Sequence, residues 1–493
     1  MNWANAWLYV CVAAVSILSG CAAPDSIGAS RSLSGEVQQP TVSGWKINFH
    51  ESGSNPVIVD GVLYIGSGDG AVYALDPKTG ETKWRFQTGE NLSPATSFAN
   101  VITAPRGTGI ADQMTAGISA AERQMREGIR RVDMTPAVEN GTVFIGAGDQ
   151  SFHATDAATG KKKWSYVAGP GMVSSNFLSI TRPAAVLKNG TVYFVTEDGL
   201  HAIDALTGKR KWLFETLQEI PRNKYMPRKR VPTGPVMGDS AFLLTAWPYI
   251  LGATPRKSFV YAVDPESGNA KWVVSVDGTD ISAPTTAKGL VFFAVKEGPQ
   301  HNPSPLNRDK LYAIDAADGQ VKWKFDAESS YGTPQLLIAA GATYFSNNKS
   351  LFALELDTGR QLWSFSASEI RANLQTDDQH LYIVTHKGTM ARPDDTLHAL
   401  ALTTGQEKWS RDLSGNARVA MVQDGVVYAG AQAFDAATGN TLWSFRGTGR
   451  ESVRLISGSR MFLTSPTVTY IQSTRVDQGY LYAIDARTGK LEP

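Results

Sequence analysis

One turn-and-tryptophan string recurs nine times between residues 73 and 493, and no other feature of the sequence restricts the fold so tightly. Clear copies are YALDPKTGETKW (73–84), HATDAATGKKKW (153–164), HAIDALTGKRKW (201–212), YAVDPESGNAKW (261–272), YAIDAADGQVKW (312–323) and QAFDAATGNTLW (432–443). FALELDTGRQLW (352–363) and HALALTTGQEKW (398–409) lack the aspartate, and YAIDARTGKLEP (482–493) lacks the tryptophan. Upstream of most copies stands an Asp-Gly or Asn-Gly pair followed by a short alternating apolar run, as in VDGVLYIGSGDG (59–70) and KNGTVYFVTEDG (188–199). Such pairs favour two-residue hairpins because Asn, Asp and Gly tolerate the positive φ those turns require.

Each unit of about forty residues therefore reads as four antiparallel strands, the last carrying the tryptophan. A sheet that small cannot bury both of its faces alone, whereas blades packed around an axis can, so the predicted fold is an all-β propeller of four-stranded blades. The ninth copy lacks its tryptophan strand and GWKINF, near the N-terminus, is an orphan one, so the N-terminal strand is expected to close the ring. Nine tryptophan strands result, carrying Trp45, Trp84, Trp164, Trp212, Trp272, Trp323, Trp363, Trp409 and Trp443. Within the motif the small Ala lets sheets approach, the Asp accepts backbone hydrogen bonds in the turn, the Gly takes the left-handed position and the Trp fills the gap between blades.

Composition excludes several function classes. Lys+Arg 47 against Asp+Glu 46 gives a net charge of +1, which removes any general attraction to nucleic acid. The two cysteines, Cys11 and Cys21, leave the rest of the chain without a disulfide framework, a cysteine zinc site or a CxxCH haem attachment. His153, His201 and His398 fall in the column filled elsewhere by Tyr or Phe, which makes them ring substitutes, and the other histidines show no ligand spacing. The strings GSGDG (66–70) and GAGDQ (146–150) sit at corresponding hairpins with no helix after them, so they read as turns and not as phosphate loops. No catalytic residue, metal or cofactor is predicted from these patterns.

Residues 1–20 read as a signal peptide with an apolar core from Trp7 to Leu18, and Leu18-Ser19-Gly20-Cys21 resembles a bacterial lipobox that would place a diacylglycerol thioether on Cys21. Residues 21–43 are rich in Ser, Gly and Pro and read as a flexible tether, and residues 44–493 form the propeller. Ala22 rather than Asp after the cysteine resembles the sorting pattern for the outer membrane, with the domain facing the periplasm.

Function is sought where the repeat breaks. Successive tryptophans from Trp45 to Trp443 lie 39, 80, 48, 60, 51, 40, 46 and 34 residues apart. Insertions of about 90–134 and 215–232 follow tryptophan strands, and others at about 246–258, 296–309, 386–396 and 465–479 separate the second and third strands of a blade. Both kinds of connection leave an up-and-down blade on the same side, so all of them are expected to decorate one face of the disc. The longest contains ADQMTAGISAAERQMREGIRR (111–131), where Met114, Ile118, Met125 and Ile129 make one helical apolar stripe, either lying on the propeller or offered to a partner. The second contains RNKYMPRKR (222–230), which gathers Arg222, Lys224, Arg228, Lys229 and Arg230 around Tyr225, suited to an acidic partner or to solvent.

The string AxDxxTGxxxW resembles the repeat of the PQQ-like β-propellers, whose members usually have eight blades where this motif counts nine. With the lipobox, the resemblance is nearest in kind to the BamB-type outer-membrane assembly lipoproteins. It implies a monomeric scaffold within a complex, lipid-anchored in the cell envelope, binding envelope proteins such as components of the β-barrel assembly machinery. Two alternatives stay open. The quinoprotein dehydrogenases of the same repeat family hold PQQ and Ca²⁺ on the axis, usually against a vicinal disulfide that a mature chain whose single cysteine is lipidated cannot form. A glycan- or peptide-binding propeller would use loop aromatics such as Trp247, Tyr249 and Tyr470.

Overall fold

The computed structural model describes residues 44–49, 54–88, 132, 134–147, 151–168, 185–196, 199–216, 233–238, 240–246, 257–278, 280–297, 308–328, 334–387, 394–413, 420–445, 452–471 and 474–491. Their strands make nine antiparallel sheets, and no helix occurs among the described residues. Numbered along the chain, blade 1 spans 57–87, blade 2 137–167, blade 3 186–215, blade 4 233–277, blade 5 280–328, blade 6 335–366, blade 7 370–413 and blade 8 420–444. Blade 9 takes its first three strands from 452–485 and its fourth from Trp45–Asn48, which pairs Trp45 with Ala483 and Asn48 with Tyr480. The ring is therefore closed by the N-terminal strand, and the blades among the described residues number nine.

Each blade keeps its strands in sequence order, so every hairpin is short-range and antiparallel. In six blades the first-to-second hairpin turns through positive φ at two successive residues, as at Asp60 and Gly61 (50° and 70°) or Asn140 and Gly141 (49° and 65°). The third-to-fourth connection is built on the repeat Asp. Asp76 Oδ1 accepts the N–H groups of Lys78 (2.8 Å) and Thr79 (3.2 Å), and these bonds, Lys78's foremost, hold its carboxyl below the usual carboxylate range. Lys83, the residue before the tryptophan, sits 3.6 Å from the same carboxylate, and Lys163, Lys211, Lys271 and Lys322 repeat the pairing in blades 2 to 5.

Nine apolar clusters, each shared by two successive blades, form the core. Phe152 and Phe194 stack 4.1 Å apart between blades 2 and 3, and Trp45, Phe462 and Leu481 of blade 9 meet Leu63, Ile65 and Leu75 of blade 1. The motif explains the spacing. The turn glycine of every blade, at φ near 70°, lies against the tryptophan ring of the preceding blade: a Cβ on Gly160 would come within 2.7 Å of Trp84, and one on Gly489 within 2.4 Å of Trp443. The indole N–H groups then donate to the turn, Trp84 Nε1 to Ala157 O (2.8 Å) and Trp45 Nε1 to Pro77 O (3.0 Å). Ring, glycine and carbonyl together lock one blade to the next at a fixed angle.

First strands of neighbouring blades approach one another, as Ala137–Glu139 does Val186–Lys188 and Ile370–Thr376 does Ala420–Gln423, so they line the axis. Fourth strands, with patterns such as exposed-exposed-buried-exposed in Thr441–Ser444, form the rim. Alternating strand direction then gives the disc two unlike faces. The Asp-Gly and Thr-Gly turns make one, here called the turn face. The second-to-third and fourth-to-first connections make the other, the loop face.

Candidate functional site

Every long connection leaves from the loop face. Blade 4 stops its second strand at Ala246 and resumes at Lys257, blade 5 stops at Lys296 and resumes at Arg308, and blade 7 stops at His386 and resumes at Asp395. The segment 465–479 behaves differently from an inserted loop: the second and third strands of blade 9, Arg460–Ile471 and Thr474–Asp485, continue through it as one ladder as far as Ile471↔Thr474. Beyond Thr464 on one side and Tyr480 on the other, neither neighbouring strand follows, so this hairpin outgrows its blade.

Two of the loop roots are closed by buried charge. In blade 5 Lys296 and Asp309 face each other across the ladder, fully buried, with Nζ 3.4 Å from Oδ1. Next to them Glu297 accepts the Arg308 N–H (3.0 Å) and pairs with Lys310 (3.3 Å). Burial lowers the Lys310 ammonium's proton affinity, but the Glu297 carboxylate outweighs it and the pKa ends above the ordinary lysine value. In blade 7 His386 Nδ1 lies 2.6 Å from Asp395 Oδ1, while Arg371 Nη1, from the axis-lining first strand, lies 3.3 Å from Asp395 Oδ2. Arg371 Nε also reaches Glu369 at 3.5 Å. Asp309 and Asp395 occupy the same repeat column, three residues before Tyr312 and His398. The chemistry of both clusters is electrostatic clamping: each pins the ends of a long loop at a fixed separation on the loop face.

Sequence reasoning passed over these clamps, because the paired residues lie 13 apart in blade 5 (309 − 296) and 9 apart in blade 7 (395 − 386), and only the ladder register brings them together. The ring-column histidines pack as aromatic neighbours: His201 stacks on Phe194 (5.0 Å, 5°), His153 meets Phe86 edge-on (5.4 Å) and His398 lies 5.6 Å from Phe365. The nine repeat tryptophans all lie in outer strands against the next blade's turn. Cys21, Met114, Ile118, Met125, Ile129, Arg222, Lys224, Tyr225, Arg228, Lys229 and Arg230 lie outside the described residues, as do Trp247 and Tyr249.

PQQ, a planar anionic quinone held with Ca²⁺, calls for an aromatic platform and a carboxylate-rich metal cage. Among the described residues no three His, Cys, Asp or Glu gather in a metal-holding group, and the first strands of the nine blades carry no Trp, Tyr or Phe.

The family model described as outer membrane protein assembly factor BamB matches residues 43–245, 229–363 and 347–492, essentially the whole ring. The chain belongs to this family. Among curated relatives, the BamB-family chain is 26% identical over 466 residues to lupanine 17-hydroxylase (cytochrome c) of a Pseudomonas species, covering 79% of this chain and 63% of that protein. It is 25% identical over 255 residues to outer membrane protein assembly factor BamB of Moranella endobia, covering 47% of this chain and 58% of that one. The chain thus spans about three fifths of the length of these relatives. Among solved structures, BamB from Moraxella catarrhalis aligns at 16% identity and a TM-score of 0.45, covering 82% of this chain and 99% of that one.

Proposed function

We propose that this protein is a lipid-anchored, periplasm-facing scaffold of the cell envelope whose loop face docks another envelope protein in the assembly of outer-membrane proteins. The carrying observation is the inequality of the two faces in a BamB-family ring: short, motif-bound turns on one, every long connection on the other, two of them clamped at the root by the Lys296–Asp309 and Arg371–Asp395 pairs. Clamping a loop's ends lowers the entropy lost when a partner orders it, which suits a binding surface. The lipobox at Cys21 supplies the membrane attachment this reading needs.

The test is site-specific photocrosslinking in intact cells from positions beside the clamps, such as Lys387, with turn-face positions such as Thr404 as control. Crosslinks to a β-barrel assembly component from the loop face alone support the scaffold; equal yields from both faces sink it. A Cys21→Ala chain that still fractionates with membranes would defeat the anchor.

Similarity to lupanine 17-hydroxylase over 79% of the chain sustains a second reading, a quinoprotein dehydrogenase. Calorimetric titration with PQQ in the presence of Ca²⁺ decides it, since saturable heat at micromolar concentration would revive the enzyme.

A further inference from the structure

The turn face is not electrically uniform. In the other blades the three positions before the tryptophan, or its equivalent in the ninth copy, hold at most one cation, beside neutral residues in Asn269-Ala270-Lys271 and Gln320-Val321-Lys322 and beside a glutamate in Glu81-Thr82-Lys83 and Gln406-Glu407-Lys408. Blades 2 and 3, which are adjacent, hold Lys161-Lys162-Lys163 and Lys209-Arg210-Lys211. The repeat accounts for one cation of each triplet: Lys163 pairs with Asp156 at 3.6 Å and Lys211 with Asp204 at 4.0 Å. Lys161, Lys162, Lys209 and Arg210 are exposed and have no ion-pair partner among the described residues.

Between the triplets stands Leu206, at 85% exposure, in the turn position that other blades fill with Lys78, Ala158, Glu266, Ala317, Asp357, Thr403, Ala437 or Arg487. Its turn is held against blade 2 by Trp164, whose ring lies under Gly208 and whose Nε1 donates to Ala205 O at 3.0 Å. A large apolar side chain is thus held out to solvent on the turn that packs blade 3 against blade 2, the two blades that carry the basic triplets. The first described residue points the same way. Trp45–Asn48 runs antiparallel to Thr474–Asp485 with Trp45 opposite Ala483, and Gly44 abuts Leu491, so the chain enters the propeller at the turn face.

We propose that the turn face of blades 2 and 3, carrying the two basic triplets and the exposed Leu206, docks on an anionic phospholipid surface. Cations attract the headgroups and the leucine enters the interfacial layer, the division of labour by which basic amphipathic surfaces bind membranes. The docked disc turns its loop face away from the lipid and toward soluble partners. The patch acts whether or not Cys21 carries a lipid, so this inference goes beyond the scaffold reading; an anchor upstream of Gly44 delivers the same face.

The test uses the full chain, exchanged from detergent into vesicles of phosphatidylcholine alone or of phosphatidylcholine with phosphatidylglycerol, followed by flotation and by lysine acetylation read by mass spectrometry. Acetylation of Lys161, Lys162 and Lys209 should fall severalfold on the phosphatidylglycerol vesicles, while the loop-side Lys257 and Lys387 stay unchanged. The variant Lys161→Glu, Lys162→Glu, Lys209→Glu, Leu206→Ser should lose this protection, with roughly fivefold weaker vesicle affinity for each cation removed; Arg210 is left in place because its charge reaches His201. Equal acetylation on both vesicle types overturns the proposal, and if the chain floats on both, the anchor survives that failure. Flotation of a Cys21→Ala chain on phosphatidylglycerol vesicles alone upholds the patch without the anchor. Protection seen in native envelope membranes but not on phosphatidylglycerol vesicles assigns the patch to an acidic protein and overturns the lipid.

Discussion

A histidine placed in a tyrosine column adds its own term to the acid sensitivity of this propeller, above the range in which the lowered turn carboxylates titrate. His201 is 2% exposed, stacked on Phe194, with Nε2 2.9 Å from Thr196 Oγ1, and burial, helped by the charge of Arg210, pushes its pKa down to about 4. In the unfolded chain the imidazole titrates near 6.5, so between about pH 6.5 and about pH 4 the unfolded state binds more protons and stability falls as pH falls; above that window this residue contributes no slope. The loss should approach about 3 kcal/mol at the acid end, and His201→Phe should flatten it in urea unfolding curves taken across the window. An unchanged slope would show that the imidazole is not held neutral. A second residue departs from its column in the opposite sense. Ala340 takes φ of 47° at a hairpin position held elsewhere by Asp60, Asn140, Asn189, Lys288 and Asp424. Left-handed alanine is strained, so Ala340→Asn should raise stability by about 0.5–1 kcal/mol, measured as a shift in urea midpoint without change of slope.

At the scale of the element, the blade 5 clamp has a definite sign. Both partners of Lys296–Asp309 are fully buried, and removing one leaves the other's charge desolvated beside a lost attraction. Asp309→Ala should therefore cost about 3–5 kcal/mol, whereas Lys296→Met with Asp309→Leu should fall within about 1–2 kcal/mol of the native protein. Chemical denaturation of both variants reads the difference, and equal losses would mean that the site is sensitive to packing and not to charge. The same contrast marks what sequence could reveal. Each blade solves one packing problem, so the tryptophan, the glycine beneath it and the Asp that caps the turn recur at fixed spacing and announce themselves. Lys296 and Asp309 straddle an insertion of arbitrary length, which erases any spacing signal. The triplets at 161–163 and 209–211 carry no spacing signal of their own, because only the geometry shows that each Asp pairs with just one lysine of its triplet.

For the whole molecule the decisive joint lies inside blade 9. Successive blades are linked by continuous chain, but the ring itself is fastened where Trp45–Asn48 zips onto Thr474–Asp485 through four residue pairs. The joint is reinforced by Phe49 N donating to Gly479 O (2.9 Å), Lys46 over the Tyr480 ring (3.6 Å), and Arg460 Nη1 reaching across to Pro77 O and Lys78 O of blade 1 (3.0 and 2.9 Å). A repeat array whose ends are not tied can unfold from either end, so this short strand sets how far the nine blades act as one cooperative unit. Asn48 and Tyr480 are direct partners on the accessible part of the joint, and cysteines at both positions would close a loop of about 430 residues (480 − 48). Relative to its own reduced form, the oxidised Asn48→Cys, Tyr480→Cys protein should be more stable by about 2–4 kcal/mol and should unfold in a single sharper transition. Because both forms carry the same substitutions, the packing lost with Tyr480 cancels. Identical unfolding of the two forms would mean that the ring opens somewhere other than the N-terminal strand, and that the blades are held by their tryptophan-glycine contacts alone.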